Sequence, residues 1–396
     1  MTHIFKNCLP LLVAGLFVGG CVDASLTASQ AIASQPVVAK PATSPGTNWQ
    51  VSHSMGLDAL VFIGALSGDP MPQHHYQADI VDIRAKFSKP GIDALAMLDT
   101  AIRGRAKQLV GPTLALYFSA SRTDTLDDLL ATINQPETIQ PVLEGSVHWD
   151  PRGWQGFVRL LPAFRTVVEE LKRVGFEEKW RRDVLPLIEK RKPIFVEAVN
   201  PFDIIPEQRR LLGKMLDPTV EIIVLHYSKP YGIKIMGQRF LTHHEYSADT
   251  QLRIAAHEIF HPPFSRHDTE LFGLLKPLED DKWMRNIVGD HDPDFGYNSF
   301  SSVMNEDSTR ALDQIVSERL GFARDPATRF VEDDDGMHMV AVAIYHAMKE
   351  DGFDDRGGAY VDWLKDALRR GLLTPDEVRR RAALVVGQDT VSKWDY

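Results

Sequence analysis

Residues 249–261 read Asp-Thr-Gln-Leu-Arg-Ile-Ala-Ala-His-Glu-Ile-Phe-His. Asp249 or Thr250 is suited to cap a helix start, and Ile254, Ala255 and Ile259 supply an apolar face. On such a helix His257 and His261, four residues apart, project from one side, so both imidazoles reach one ion. Glu258 lies about 100° further round, where its carboxylate addresses a water at that ion without being a ligand. The pattern predicts a zinc site in which the metal acidifies water and Glu258 takes the proton. Pro262 and Pro263 follow directly. A residue before proline avoids the helical region, so the helix is expected to end at or just before His261. Competing readings are a surface helix with two incidental histidines and a structural metal site. With 14 histidines in the chain, the string arises by chance at a level of roughly a few per cent.

The rest of the composition narrows the ligand set. Cys8 and Cys21 are the two cysteines of the 396 residues, so a metal site in the main body must be built from histidine and carboxylate. The 44% hydrophobic and 25% charged content is that of a globular chain with a sizeable core. A formal net charge of −10 argues against nucleic acid as a partner, since that surface demands a basic face.

Upstream of the site the pattern is helical. Helices are expected over Leu57–Leu66, around Ile80–Phe87, over Ile92–Ile102 and over Leu126–Ile133. Two longer ones are expected over Phe157–Val174 and Glu177–Lys190, each with a late start or a kink at Pro162 or Pro186. After Asp217-Pro218 the character changes. Ile222-Ile223-Val224-Leu225 and Gly232–Gly237 read as two short strands joined by turn residues Ser228-Lys229-Pro230-Tyr231, that is, as a hairpin just before the site helix.

A catalytic zinc ordinarily has three protein ligands. His267 lies six residues after His261, but Phe264 stands where a chain-turning Gly would be needed. The alternative is a glutamate on a later helix. Leu312, Ile315, Val316 and Leu320 form an apolar stripe and Gly321 fits a C-cap. Glu306 and Glu318 both lie on that segment, each more than about 90° off the stripe, so helical phase does not separate them.

The strand pair, the His-Glu-x-x-His helix and the later helix resemble those of gluzincin-type zinc metallopeptidases. More narrowly, they are similar to a poorly characterised group of bacterial secreted or lipoprotein zincin-like proteins. In that group a Glu is followed at four residues by Arg-Ala, as in Glu306-Asp307-Ser308-Thr309-Arg310-Ala311. The resemblance spans roughly residues 50–350 and rests on the two helices. It implies an α-rich α+β, zincin-like fold, Zn2+ held by His257, His261 and Glu306, and a peptide or protein substrate. Arg310 stands where thermolysin-type enzymes have an Asp, which leaves the orientation of the histidines without a partner. Candidates for stabilising an oxyanion are His243, His244, Tyr246, Arg310, Tyr345 and His346, of which the last two read as core. Glu332–Gly336 reads as a solvated turn, and Arg369-Arg370 and Arg379–Arg381 as helix-surface charge.

The N-terminus reads as an address. Residues 1–20 carry Lys6 and then an apolar run, Leu9–Val18, too short to span a bilayer. Val18-Gly19-Gly20-Cys21 resembles a bacterial lipobox with Val where Leu is usual; a plain secretory signal is the competing reading. Acylated Cys21 implies a lipid anchor in the bacterial cell envelope. Asp is not the residue after Cys21, which favours the outer membrane over the inner. Residues 21–49, rich in Ala, Ser, Thr and Pro, read as a flexible tether. Residues 50–396 are expected to form one hydrolase domain, helical over 50–215, with strands and site helices over 216–322 and helices again over 323–396. A non-catalytic envelope protein using the same fold for binding or scaffolding is the alternative.

Overall fold

A computed structural model describes residues 46–396. Cys21, the signal segment and most of the tether lie outside the described residues. The chain forms two compact units, Met55–Trp180 and a second made of residues 46–54 with Arg181–Tyr396. Helices dominate, and the strands form a single small mixed sheet. Among the described residues no helix is long and apolar enough to cross a membrane.

The first unit is built on Met55–Ser67, a helix buried on every side because nearly every residue is apolar or small. It packs on Val110–Phe118 at a close approach: a Cβ on Gly64 would stand 2.5 Å from the Gly111 backbone nitrogen. Asp69 caps this second helix, accepting from the Val110 and Gly111 amides at 2.9 Å each. The helix Pro151–Arg173 begins earlier than the sequence suggested and runs through Pro162 without a break. Asp150 caps its start with two amide bonds. The expected interruption at Pro186 is real: a wide turn over Trp180–Val184 separates Phe176–Lys179 from Leu185–Val199.

In the second unit the sheet contains β1 (Asn48–His53), β2 (Thr219–Leu225), β3 (Ile233–Lys234) and β4 (Arg239–His243) in the order β1-β2-β4-β3. β2 runs parallel to both neighbours, and only β3–β4 is antiparallel. The expected hairpin between β2 and β3 is therefore corrected. The hairpin joins β3 to β4, and β2 is a central strand. Its apolar run without alternation fits that place, since a strand with parallel neighbours is covered on both faces. β1 also corrects the tether boundary: the chain enters the sheet at Asn48, paired with Thr219. Thr47 fastens this entry by accepting from the Ile205 amide at 3.0 Å.

After β4 a short turn leads into the site helix, Ala248–Glu258. This helix packs on β4, on Leu185–Val199 and on Phe300–Leu320. The last of these is buried along nearly its whole length and ends at Gly321 with φ +81°, the C-cap expected there.

Candidate metal centre

Ser247 caps the site helix, two or three residues earlier than expected, with its hydroxyl accepting from the Thr250 amide at 3.1 Å. Regular helix ends at Glu258. The Phe260 and His261 amides then bond three residues back, to His257 O at 3.0 Å and Glu258 O at 3.2 Å. His261 thus sits on a tightened last turn before Pro262, as the sequence predicts.

Two imidazoles and one carboxylate converge there. His257 Nε2 and His261 Nε2 stand 2.9 Å apart. Glu306, in the second turn of Phe300–Leu320 and fully buried, places Oε1 3.5 Å from His257 Nε2 and Oε2 3.4 Å from His261 Nε2. The three ligand atoms lie within 4.8 Å of one another. The far nitrogens are occupied: His257 Nδ1 lies 2.7 Å from Asp313 Oδ2, and His261 Nδ1 lies 3.0 Å from Asn305 Oδ1. Asp313 and Asn305 are placed to accept, so each Nδ1 is engaged and each Nε2 is the atom left to face the centre. Arg329 in turn grips Asp313, with Nη2 3.0 Å from Oδ2.

Electrostatics show what the pocket lacks. Burial opposes a charge on His257, but Glu306 and then Asp313 outweigh it and lift its pKa to about 10. Burial would raise Glu306 too, yet His257 and Arg310 hold its carboxyl well below the usual range. A positive charge is thus favoured where the Nε2 atoms face each other. Among the described residues Glu306 Oε2 is buried with no hydrogen-bond partner. Two inward Nε2 atoms, which can bind once an ion displaces their proton, and an orphaned carboxylate oxygen are the donor set of a His-His-Glu zinc site, so the residues fit Zn2+.

Glu258 is buried, and among the described residues its Oε2 has no hydrogen-bond partner. Burial pushes its pKa up, against the pull of His257 and His261. Gly232 makes room for it: a Cβ there would lie 2.9 Å from Glu258 Oε1 and 2.6 Å from Ile254 Cγ2. Lys234 on β3 adds a buried positive charge whose pKa burial lowers to about 8, against the attraction of Glu258.

The remaining candidates fall elsewhere. Glu318 accepts from Tyr345 Oη at 2.6 Å and Lys349 Nζ at 2.7 Å, and His267 is exposed beside Arg266. Neither joins the ligand cluster. His346 contacts Arg381 at 3.3 Å. Arg381 is itself buried, 3% exposed, which corrects its reading as surface charge. Arg310 is committed to Glu306 at 2.7 Å, Asp333 at 3.2 Å and Asp334 at 2.6 Å. Asp334 is buried with φ +46° and also accepts from His338 at 2.8 Å. Asp333 and Asp334 thus clamp Arg310, while Glu332 and Asp335 are exposed, so the run is only in part the solvated turn expected. His243 and His244 form a second cluster with His226, where His226 Nδ1 lies 2.9 Å from His244 Nε2. It stands at the first turn of the site helix, where Gln251 donates to His243 O at 3.0 Å. His243 Nδ1 already accepts from the Glu245 amide at 3.0 Å.

Sequence reasoning missed Asp313, Asn305, Arg329 and Gly232. Asp313 carried a usable signal: it lies seven residues, two helical turns, after Glu306 and so shares its face. Comparison of the chain with protein-family models, curated proteins and solved structures finds no match.

Proposed function

We propose that this protein is a zinc-dependent hydrolase of gluzincin type, acting on peptide or related amide bonds, with His257, His261 and Glu306 as metal ligands. One observation carries the reading. Both histidines have Nδ1 held by a buried acceptor while both Nε2 atoms converge with Glu306 on one point. A hairpin before the site helix and a glutamate from a later helix also support a zincin-like arrangement. Zinc bound there would supply Lewis acidity toward a carbonyl oxygen and acidify water.

The chain's own residues do the rest. Asp313 and Asn305 fix the tautomers and ring planes of the histidines. Arg310 keeps Glu306 ionised. Glu258 lines the same cleft as His257, and its unpartnered oxygen is the group placed to take a proton from water. Burial, which raises its proton affinity, suits it to hold that proton and hand it to a leaving amine. We further propose that Cys21 anchors the domain by lipid on the periplasmic side of the bacterial envelope, on the outer membrane in preference to the inner.

Metal analysis of purified protein tests the site. About one equivalent of zinc is expected in the wild type, with loss in His257→Ala; a metal-free wild type would sink the proposal. Glu258→Gln separates hydrolase from scaffold. It should retain zinc and lose hydrolysis of a peptide library, and unaltered function in that variant would rule out the catalytic reading.

A further inference from the structure

We infer that Arg253 is a carboxylate-binding residue of the same cleft, and, resting on the hydrolase reading above, that the substrate presents a carboxylate close to the bond that is cut. Arg253 lies four residues before His257, so the two side chains are neighbours on one helix face, about 5–6 Å apart at Cβ. It lines one cleft with Ile254, His257 and Glu258.

That cleft contains three more guanidinium groups, and each is taken. Arg310 pairs with Glu306, Asp333 and Asp334. Arg324 pairs with Glu332 and Asp333, and Arg329 with Asp313 and Asp333. Arg253 differs. Among the described residues its hydrogen bond is to Thr250 Oγ1, at 3.3 Å, and no carboxylate comes within ion-pair distance. Burial pushes its pKa down; Asp249 attracts it from further away, while Arg324 and Arg329 repel it.

A guanidinium largely withdrawn from water and left without a counter-ion is costly. The planar fork of Arg matches a carboxylate with two parallel hydrogen bonds. An anion seated on Arg253 would satisfy the group inside the cleft that Arg253 shares with His257. Because Arg253 and His257 line one cleft, the carboxylate belongs to a substrate residue close to the reacting bond. It is either an acidic side chain or the terminal carboxylate of a peptide, and both present the same chemistry to Arg253.

The test is a calorimetric titration of the zinc-loaded full chain with three small probes: N-acetylaspartate α-amide, N-acetylalanine and N-acetylalaninamide. The first carries only a side-chain carboxylate, the second only a terminal one, and the third none. At least one carboxylate probe should bind the wild type about tenfold or more tightly than the amide, as a charge-assisted pair requires. Which probe wins identifies the source. Arg253→Gln should abolish that margin while keeping the zinc content, and Arg253→Lys should restore part of it. If neither carboxylate probe outbinds the amide, or if the margin survives in Arg253→Gln because the probe sits on zinc alone, the inference is overturned. A margin that depends on Arg253 in a protein that cuts no peptide would leave this subsite standing and the hydrolase reading fallen.

Discussion

His257 Nδ1 and Asp313 Oδ2 are 2.7 Å apart, and both side chains are shielded from solvent. Asp313 takes the orienting role that the residue four after Glu306 cannot fill, because Arg310 stands there and points at Glu306 instead. Two turns of one helix thus supply one proposed ligand, Glu306, and the partner of another, His257. Replacing Asp313 with Ala should weaken zinc binding by roughly 10–100-fold, as loss of such outer partners does. Competition with a chromophoric chelator measures it; an unchanged affinity would mean that the histidine needs no such anchor.

Gly232→Ala should displace Glu258 without removing a ligand. The added methyl meets Ile254 Cγ2 and Glu258 Oε1 at distances that real Cβ atoms do not tolerate. We expect zinc content to stay at wild-type level, turnover to fall, and stability to drop by about 1–3 kcal/mol from overpacking. Turnover equal to the wild type would show that the Glu258 position is not critical.

Arg310→Met should be among the most damaging single changes in the second unit. It removes the guanidinium shared by buried Glu306 and Asp334, with Asp333 beside them, and leaves Asp334 only its contact with His338. Breaking such a buried network by removing one partner costs about 3–5 kcal/mol. Urea unfolding of metal-free protein reads it directly, and a loss under about 1 kcal/mol would mean that water replaces the guanidinium there.

The first unit offers a pH test away from any metal. Glu170 accepts from Arg173 Nη2 at 2.6 Å, from the Ser88 amide at 2.7 Å and from Ser88 Oγ at 2.9 Å. Arg173, against the opposing effect of burial and with help from Ser88, lowers its pKa from 4.5 to about 2. A depressed carboxyl pKa stabilises the fold above the unfolded value and is lost as pH falls through the folded one. Glu170 should therefore contribute up to about 3 kcal/mol above pH 4.5, reduced by the half-exposed position of Arg173. Wild type and Glu170→Gln should differ near pH 6 and converge near pH 2; a gap that persists at pH 2 would assign the effect to packing.

The readable parts of the site were those set by local geometry. His257, Glu258 and His261 follow from four-residue spacing, and the end of their helix follows from Pro262. Glu306 emerged from a resemblance, because helical phase treats it and Glu318 alike. What separates them is tertiary: Glu306 is buried against a helix more than forty residues earlier, whereas Glu318 lies beside Tyr345 and Lys349. Asn305 and Asp334 were illegible for the same reason. A polar residue looks solvated until its partner is known. The strands show the same limit. The run over β2 marked a strand, but only pairing reveals that β1 and β4 flank it and that β3 turns back on β4.

The helix Phe300–Leu320 is buried on all sides through a stretch that contains Asn305, Glu306, Asp307, Ser308, Thr309 and Arg310 in succession. Asn305, Glu306 and Thr309 meet His261, Asp307 meets His338 and Arg310 meets Asp333 and Asp334, so the helix has no idle side. Tolerance to substitution along it should lose the three-to-four-residue rhythm of an ordinary amphipathic helix. A saturation scan of residues 303–317 would then return an unbroken block of intolerant positions. Natural variation in related chains would be expected to freeze the same block, which makes it a better search string than the short histidine motif alone.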